Sequence, residues 1–301
     1  MRAIQFAEYG GPEVLKLVEV QPPHAGPGQI RIAVRAVGVN PADFKKHTGA
    51  WRFQQAELPA GLGAQGAGVV DEVGDGVTGV IVGDEVFGLG DDMYAEHAVL
   101  SSWALKSAAM SFEDAAAIPA AADVANRLFD LVDLRAGQTL LVNGAAGGAG
   151  SGIVQLARRR GATVIGTASE SKHDYLRSLG ITPVAYGDGL VDRVRAIASD
   201  GVDAAFDVAG SDVIDDLVAL TGDPNRVVTL TLAQAQEHPE VLSTFSVGEH
   251  VMESLADAAR AFDEGDFRMH IARIFPLEEA GAATQAVSEH RTMGKLIVVV
   301  S

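Results

Sequence analysis

The sequence predicts an α/β chain in which a β-rich first part gives way to a parallel sheet covered by helices. Two observations carry this. The first hundred or so residues are dense in Gly and Pro and hold short runs such as Ile30–Val34, Gly68–Val70 and Gly83–Phe87, read as strands between turns. From Glu113 onward, Ala-rich helical stretches alternate with apolar runs at Thr139–Asn143, Thr163–Thr167, Pro183–Tyr186, Ala204–Val208 and Arg226–Leu230. These runs recur at roughly 20-residue intervals, which leaves room for one crossover helix between parallel strands. The rhythm changes near Phe112. Toward the end, a helix over Met252–Phe262 stops at Gly265, and strands at Phe275–Leu277 and Lys295–Val300 flank a helix that starts at Glu278.

At 301 residues the chain has the length of about two domains on the ~150-residue prior. Forty Asp plus Glu against 23 Lys plus Arg give a formal charge of −17. Such a surface repels phosphate backbones and anionic lipid, so neither nucleic acid nor membrane is expected as a partner. The absence of cysteine excludes disulfides and thiolate metal sites. The eight histidines show no paired ligand spacing, so no metal is expected. Glu8 falls where a signal peptide needs its apolar core. The longest uncharged stretch, Ala115–Ala122, contains Pro119 and is too short for a bilayer span. A cytoplasmic protein is the expectation.

The chemistry concentrates after the strand Thr139–Val142, in Asn143-Gly144-Ala145-Ala146-Gly147-Gly148-Ala149-Gly150, followed by a helix over Ser151–Arg160 that ends at Gly161. A diphosphate sits on a helix N-terminus only where the backbone can approach it, so side chains there must be absent or small. Gly144, Gly147 and Gly150 at three-residue spacing, with Ala145, Ala146 and Ala149, meet that demand, and Gly148 adds to it. The context of strand, turn, helix and second strand identifies a dinucleotide-binding turn.

NAD-selective sites place an acid at the end of the second strand for the ribose 2′-hydroxyl, whereas a 2′-phosphate wants hydroxyl and cationic donors. Here Ser169 stands about where the acid would be, and Lys172 follows within reach. Glu170 cuts against this, unless it is a solvated acid of the next helix's first turn. The expected cofactor is NADPH.

The order of short motifs resembles the zinc-independent medium-chain dehydrogenase/reductases of the quinone oxidoreductase, or zeta-crystallin-like, branch. The resemblance spans the chain and is carried by Glu8–Leu15, Gly38–Asp43, Gly68–Val70, Val77–Gly79, Val82–Val86, Tyr94–Glu96, Ala115–Pro119, the glycine turn, Asp203–Gly210, Phe275–Leu277 and Gly294–Val298. It implies a GroES-like catalytic domain from residues 1–118 and 258–301, a Rossmann NADP-binding domain over 119–257, and an active site in the cleft between them. Zinc-dependent relatives carry a Cys ligand where Asn40 stands and a His-Glu pair where Ala64-Gln65 stand, so the resemblance implies loss of the metal. It also implies that Ser169, Lys172 and Tyr186 contact the 2′-phosphate, that Asn40 lies near the nicotinamide, and that Ala209 and Leu230 line its ribose and ring.

Without a metal, the compatible reaction is hydride transfer from NADPH to a carbon already activated by conjugation, in a quinone or an α,β-unsaturated carbonyl. Asn40, Lys45 and Trp51 are the candidate donors to the acceptor. An enoyl-thioester reductase and a non-catalytic NADPH-binding protein are the alternatives, the first disfavoured by Trp51 where such enzymes place Tyr. A homodimer is expected through an edge strand at Leu242–Val247, because an unpaired edge invites a partner.

Overall fold

The computed structural model describes residues 1–50, 56–245, 248–289 and 292–301. The chain divides into two compact units, Met1–Ala120 with Val251–Ser301, and Ala121–His250.

In the first unit, strands Ile30–Gly38, Gln65–Val73, Glu85–Asp91 and His97–Leu105 pair antiparallel in that order, and the last pairs back onto the first, closing the sheet on itself. Closure leaves these four strands without a free edge. Ile30, Ile32 and Val34 alternate into its core and are almost wholly buried, each worth about 1.5–3 kcal/mol of burial. The chain's last strand, Lys295–Val299, adds antiparallel to Ile30–Gly38, and Ile271–Pro276 adds parallel to it through the helix Ala280–Ser288. Phe275, Leu296 and Val298 therefore share a core with Ile4, Phe6 and Tyr94. A separate three-stranded sheet joins Lys16–Glu19, Arg2–Phe6 and Ala60–Gly61.

The second unit holds a parallel sheet in the spatial order Thr182–Ala185, Thr163–Ala168, Thr139–Asn143, Ala204–Asp207, Val227–Thr229 and Leu242–Ser243. By position in the chain this is 3-2-1-4-5-6, the doubly wound arrangement. Its strands are continuous apolar runs, Leu140-Leu141-Val142 and Ala204-Ala205-Phe206 being fully buried, because helices cover both faces. The order reverses between Thr139–Asn143 and Ala204–Asp207, and ligands bind open α/β sheets where such a reversal leaves a crevice at the strands' carboxyl ends. The α/β class, with a GroES-like sheet unit and a Rossmann-like unit, is as the sequence implies. Among the described residues no helix is long and apolar enough to cross a membrane.

Candidate functional site

The glycine turn lies at that reversal, and its three glycines do three different things. Gly144 leaves the first strand at φ +87°, a left-handed conformation open to glycine, and a Cβ there would press on Ala209. Gly150 sits inside the first turn of the helix Gly148–Arg159, where a Cβ would run into the Gly144 carbonyl and stand 2.9 Å from Ala145 Cα. Gly147, the N-cap, is different: a Cβ there would meet only the Gly144 carbonyl oxygen, at 3.5 Å. The space beside Gly147 is left clear at a helix N-terminus, where backbone N–H groups lack intrahelical partners. These residues fit a diphosphate. The helix begins at Gly148 rather than Ser151, because the glycines that depress helix propensity are held by this packing.

A buried carboxylate ties the turns together. Asp207, fully buried at the end of its strand, accepts from Asn143 Nδ2 (2.9 Å), Gly210 N (3.0 Å), Ala209 N (3.2 Å) and, on its other oxygen, Thr229 Oγ1 (3.0 Å). Thr167 Oγ1 donates to Asn143 Oδ1 at 2.6 Å and accepts from Gly144 N at 3.1 Å. The carboxyl ends of four adjacent strands are thus bonded to the Gly144 and Ala209-Gly210 turns. Ala209 is exposed, and Leu230, half-buried just beyond the next strand, donates its N–H to the Asp207 carbonyl.

The 2′-phosphate candidates also come together. Ala185 pairs with Ala168 in parallel register, so Ser169 and Tyr186 are each the first residue beyond neighbouring strand ends. Tyr186 is 60% exposed. Ser169 precedes the short 3-10 turn Glu170–Lys172, with its hydroxyl 3.2 Å from that of Ser171. Lys172 is half-buried and its ammonium pKa is lowered by that burial, while Glu170 is exposed.

In the barrel unit, Asn40 caps the helix Pro41–His47, and its backbone N–H donates to Asp43 Oδ2 at 2.8 Å. Tyr94 donates to the same oxygen at 3.1 Å. Burial raises the pKa of both Asp43 and Tyr94. The Asn40 side-chain amide oxygen, Oδ1, accepts from Lys295 Nζ at 2.6 Å, a residue the sequence presents only as a strand position. Its signal was present: a lysine heading the apolar run Leu296–Val300 is out of place unless something takes its charge. Lys45 lies on the same helix, exposed to solvent, and Trp51 falls outside the described residues. Where the resemblance implies a lost zinc ligand, Gln65 is buried, donating to Ala116 O and accepting from Ala120 N, each at 2.8 Å.

Comparison with known proteins places this architecture in a class. Residues 26–109 match the alcohol dehydrogenase GroES-like domain, and residues 179–298 match a model described as zinc-binding dehydrogenase. A quinone oxidoreductase of Pseudomonas aeruginosa is 32% identical, covering 99% of each chain. The human synaptic vesicle membrane protein VAT-1 homolog is also 32% identical, over 99% of this chain and 86% of that one. So is NorB of the spectinabilin polyketide synthase system of Streptomyces orinoci, over 98% of this chain, which spans only 14% of that protein. Among solved structures, the quinone oxidoreductase of Coxiella burnetii superposes with TM-score 0.87 at 31% identity over 100% of this chain and 99% of that one. A mycobacterial protein solved in complex with NADPH superposes at 0.85 with 26% identity, over 99% and 100%. The chain belongs to the quinone oxidoreductase branch of the medium-chain dehydrogenase/reductase family, a family of oxidoreductases.

Proposed function

We propose that the protein is a zinc-independent, NADPH-dependent reductase of quinones or α,β-unsaturated carbonyls. The observation that carries this is the clear space beside Gly147 at the sheet's reversal, with hydroxyl and cationic side chains at the neighbouring strand ends. The turn Gly144–Gly150 would hold the diphosphate, Ser169, Lys172 and Tyr186 the 2′-phosphate, and Ala209 and Leu230 the nicotinamide end. When bound, NADPH supplies a hydride from its nicotinamide ring. The chain's own contribution is positioning and hydrogen bonding: Asn40 donates its amide hydrogen to the acceptor oxygen as negative charge develops there.

Gln65 has both ends of its amide committed to backbone groups, and Asn40 has its side-chain amide oxygen committed to Lys295. Those positions therefore do not offer a metal the three ligands a catalytic zinc needs, which favours an acceptor that arrives already electrophilic. That points to quinones and enones, in line with the relatives named for quinone reduction.

The test is loss of nicotinamide absorbance with a panel of quinones, enones and crotonyl thioesters. Turnover of quinones or enones is expected. Turnover confined to the thioester would favour an enoyl reductase. Tight NADPH binding with no acceptor consumed would make the protein a non-catalytic binder.

A further inference from the structure

Lys295 stands 255 positions from Asn40 in the chain, yet the strand register brings them together. Ile297 pairs with Gly38 and Val298 with Val37, and Val39 N donates to Leu296 O at 3.0 Å. One step further along this pairing sets Lys295 opposite Asn40. Lys295 is only 5% exposed, and burying an ammonium costs several kcal/mol unless partners offset it. A chain that retains a lysine there, at the head of an apolar strand, spends stability on a contact.

That contact defines the Asn40 amide. An ammonium has donors only, so the Asn40 atom 2.6 Å from it is the amide oxygen, which fixes the orientation of the side chain. The opposite end, Nδ2, donates one hydrogen to Gly38 O at 3.3 Å, which leaves its second hydrogen for another acceptor. Asn40 is half-exposed, whereas Lys295 and Asp43 are buried behind it.

We propose that Lys295 is a positioning residue: its ammonium locks and polarises the Asn40 amide, so that the remaining Nδ2 hydrogen is held as the donor to the acceptor oxygen during hydride transfer. The proposal rests on the role given to Asn40 above. Burial pulls the Lys295 pKa down to about 8, with the Asp43 charge opposing. Asp43 is itself held by Tyr94, which hydrogen-bonds it, and is acted on through space by Lys46. The ammonium is therefore lost as pH rises through about 8, and with it the positive partner of the Asn40 oxygen.

The test uses Lys295→Met, Lys295→Arg, Asn40→Ala and the double variant Asn40→Ala/Lys295→Met. NADPH affinity would be measured by nicotinamide fluorescence, and kcat and KM with a quinone or enone that the wild type turns over, across the pH range. Lys295→Met is expected to lower kcat by about tenfold or more with NADPH affinity changed less than about twofold. The double variant should be no slower than Asn40→Ala alone, because the lysine acts through the asparagine. The wild type should lose kcat as pH rises through about 8, and Lys295→Arg, which keeps its charge, should move that loss upward. Losses that multiply in the double variant, or a Lys295→Met kcat equal to wild type, overturn the proposal. If Lys295→Arg does not fold, the double variant still decides. If Asn40→Ala itself leaves kcat unchanged, the role given to Asn40 falls, and the proposal with it. A loss in Asn40→Ala with none in Lys295→Met removes the proposal alone.

Discussion

Gly147 and Gly150 lie three residues apart in one turn, and replacing each perturbs it in opposite ways. In Gly147→Val the new side chain meets nothing closer than the Gly144 carbonyl oxygen, 3.5 Å from its Cβ, so folding should lose only the N-cap preference for glycine over valine, about 1 kcal/mol. The branched side chain instead fills the space the diphosphate needs. Losing two charge-assisted hydrogen bonds from the helix N-terminus, at about 1.5–3 kcal/mol each, removes about 3–6 kcal/mol. At about 1.4 kcal/mol per decade, that is a 10²- to 10⁴-fold rise in Kd. In Gly150→Ala the added methyl runs into the Gly144 carbonyl, an overpacking that costs about 1–3 kcal/mol of stability before any ligand is added. Fluorescence titration with NADPH and urea unfolding of the same preparations separate the two effects. A Gly147→Val variant binding NADPH within about twofold of wild type would refute the assignment of the turn.

Further expectations concern other parts of the molecule. Lys172→Ala should weaken NADPH by roughly 10- to 100-fold, the worth of one charged hydrogen bond, and leave NADH affinity unchanged; equal loss for both cofactors, measured by titration, would contradict the 2′-phosphate assignment. Asp207→Ala leaves Asn143, Thr229 and two backbone N–H groups without this acceptor, and the two buried side chains alone, at about 1–3 kcal/mol per buried orphan, should lower stability in urea by at least about 2 kcal/mol. His47, fully buried between Gly10 O (3.0 Å) and Thr284 Oγ1 (3.2 Å), has its pKa lowered by burial. The unfolded chain therefore binds the proton more readily. Stability attributable to His47 is full above about pH 6.5 and lost as pH falls below it, so urea midpoints of wild type and His47→Gln should converge on acidification.

The parallel sheet was legible because buried strands between crossover helices are short continuous apolar runs: Thr139–Asn143 is observed as read, and the Pro183–Tyr186 and Arg226–Leu230 runs differ from the observed strands by one residue at each end. The strand read at Phe275–Leu277 begins earlier, at Ile271, and takes in Arg273. That stretch is largely exposed, so its alternation is weak. Of the edge strand read at Leu242–Val247, Leu242–Ser243 pairs with the sheet, and residues 246–247 lie outside the described residues. The glycine turn announced itself by spacing. The division of labour within it, with Gly150 packed against backbone and Gly147 clear, needed coordinates. Lys295 and Asp207 were visible only as polar residues on apolar strands, since their partners lie 255 and 64 residues away. A one-dimensional pattern records that such a residue is out of place, and tertiary register alone tells what it meets.

On the proposed function, this chain directs hydride from a nicotinamide to a conjugated carbon. Incubating the protein with C4-deuterated NADPH and an enone, then reading the product by mass spectrometry, tests it most directly. Deuterium from one face of the nicotinamide should appear at the β-carbon of the saturated ketone, and its transfer should disappear in Gly147→Val. Bound cofactor with no deuterium in the product would contradict the claim.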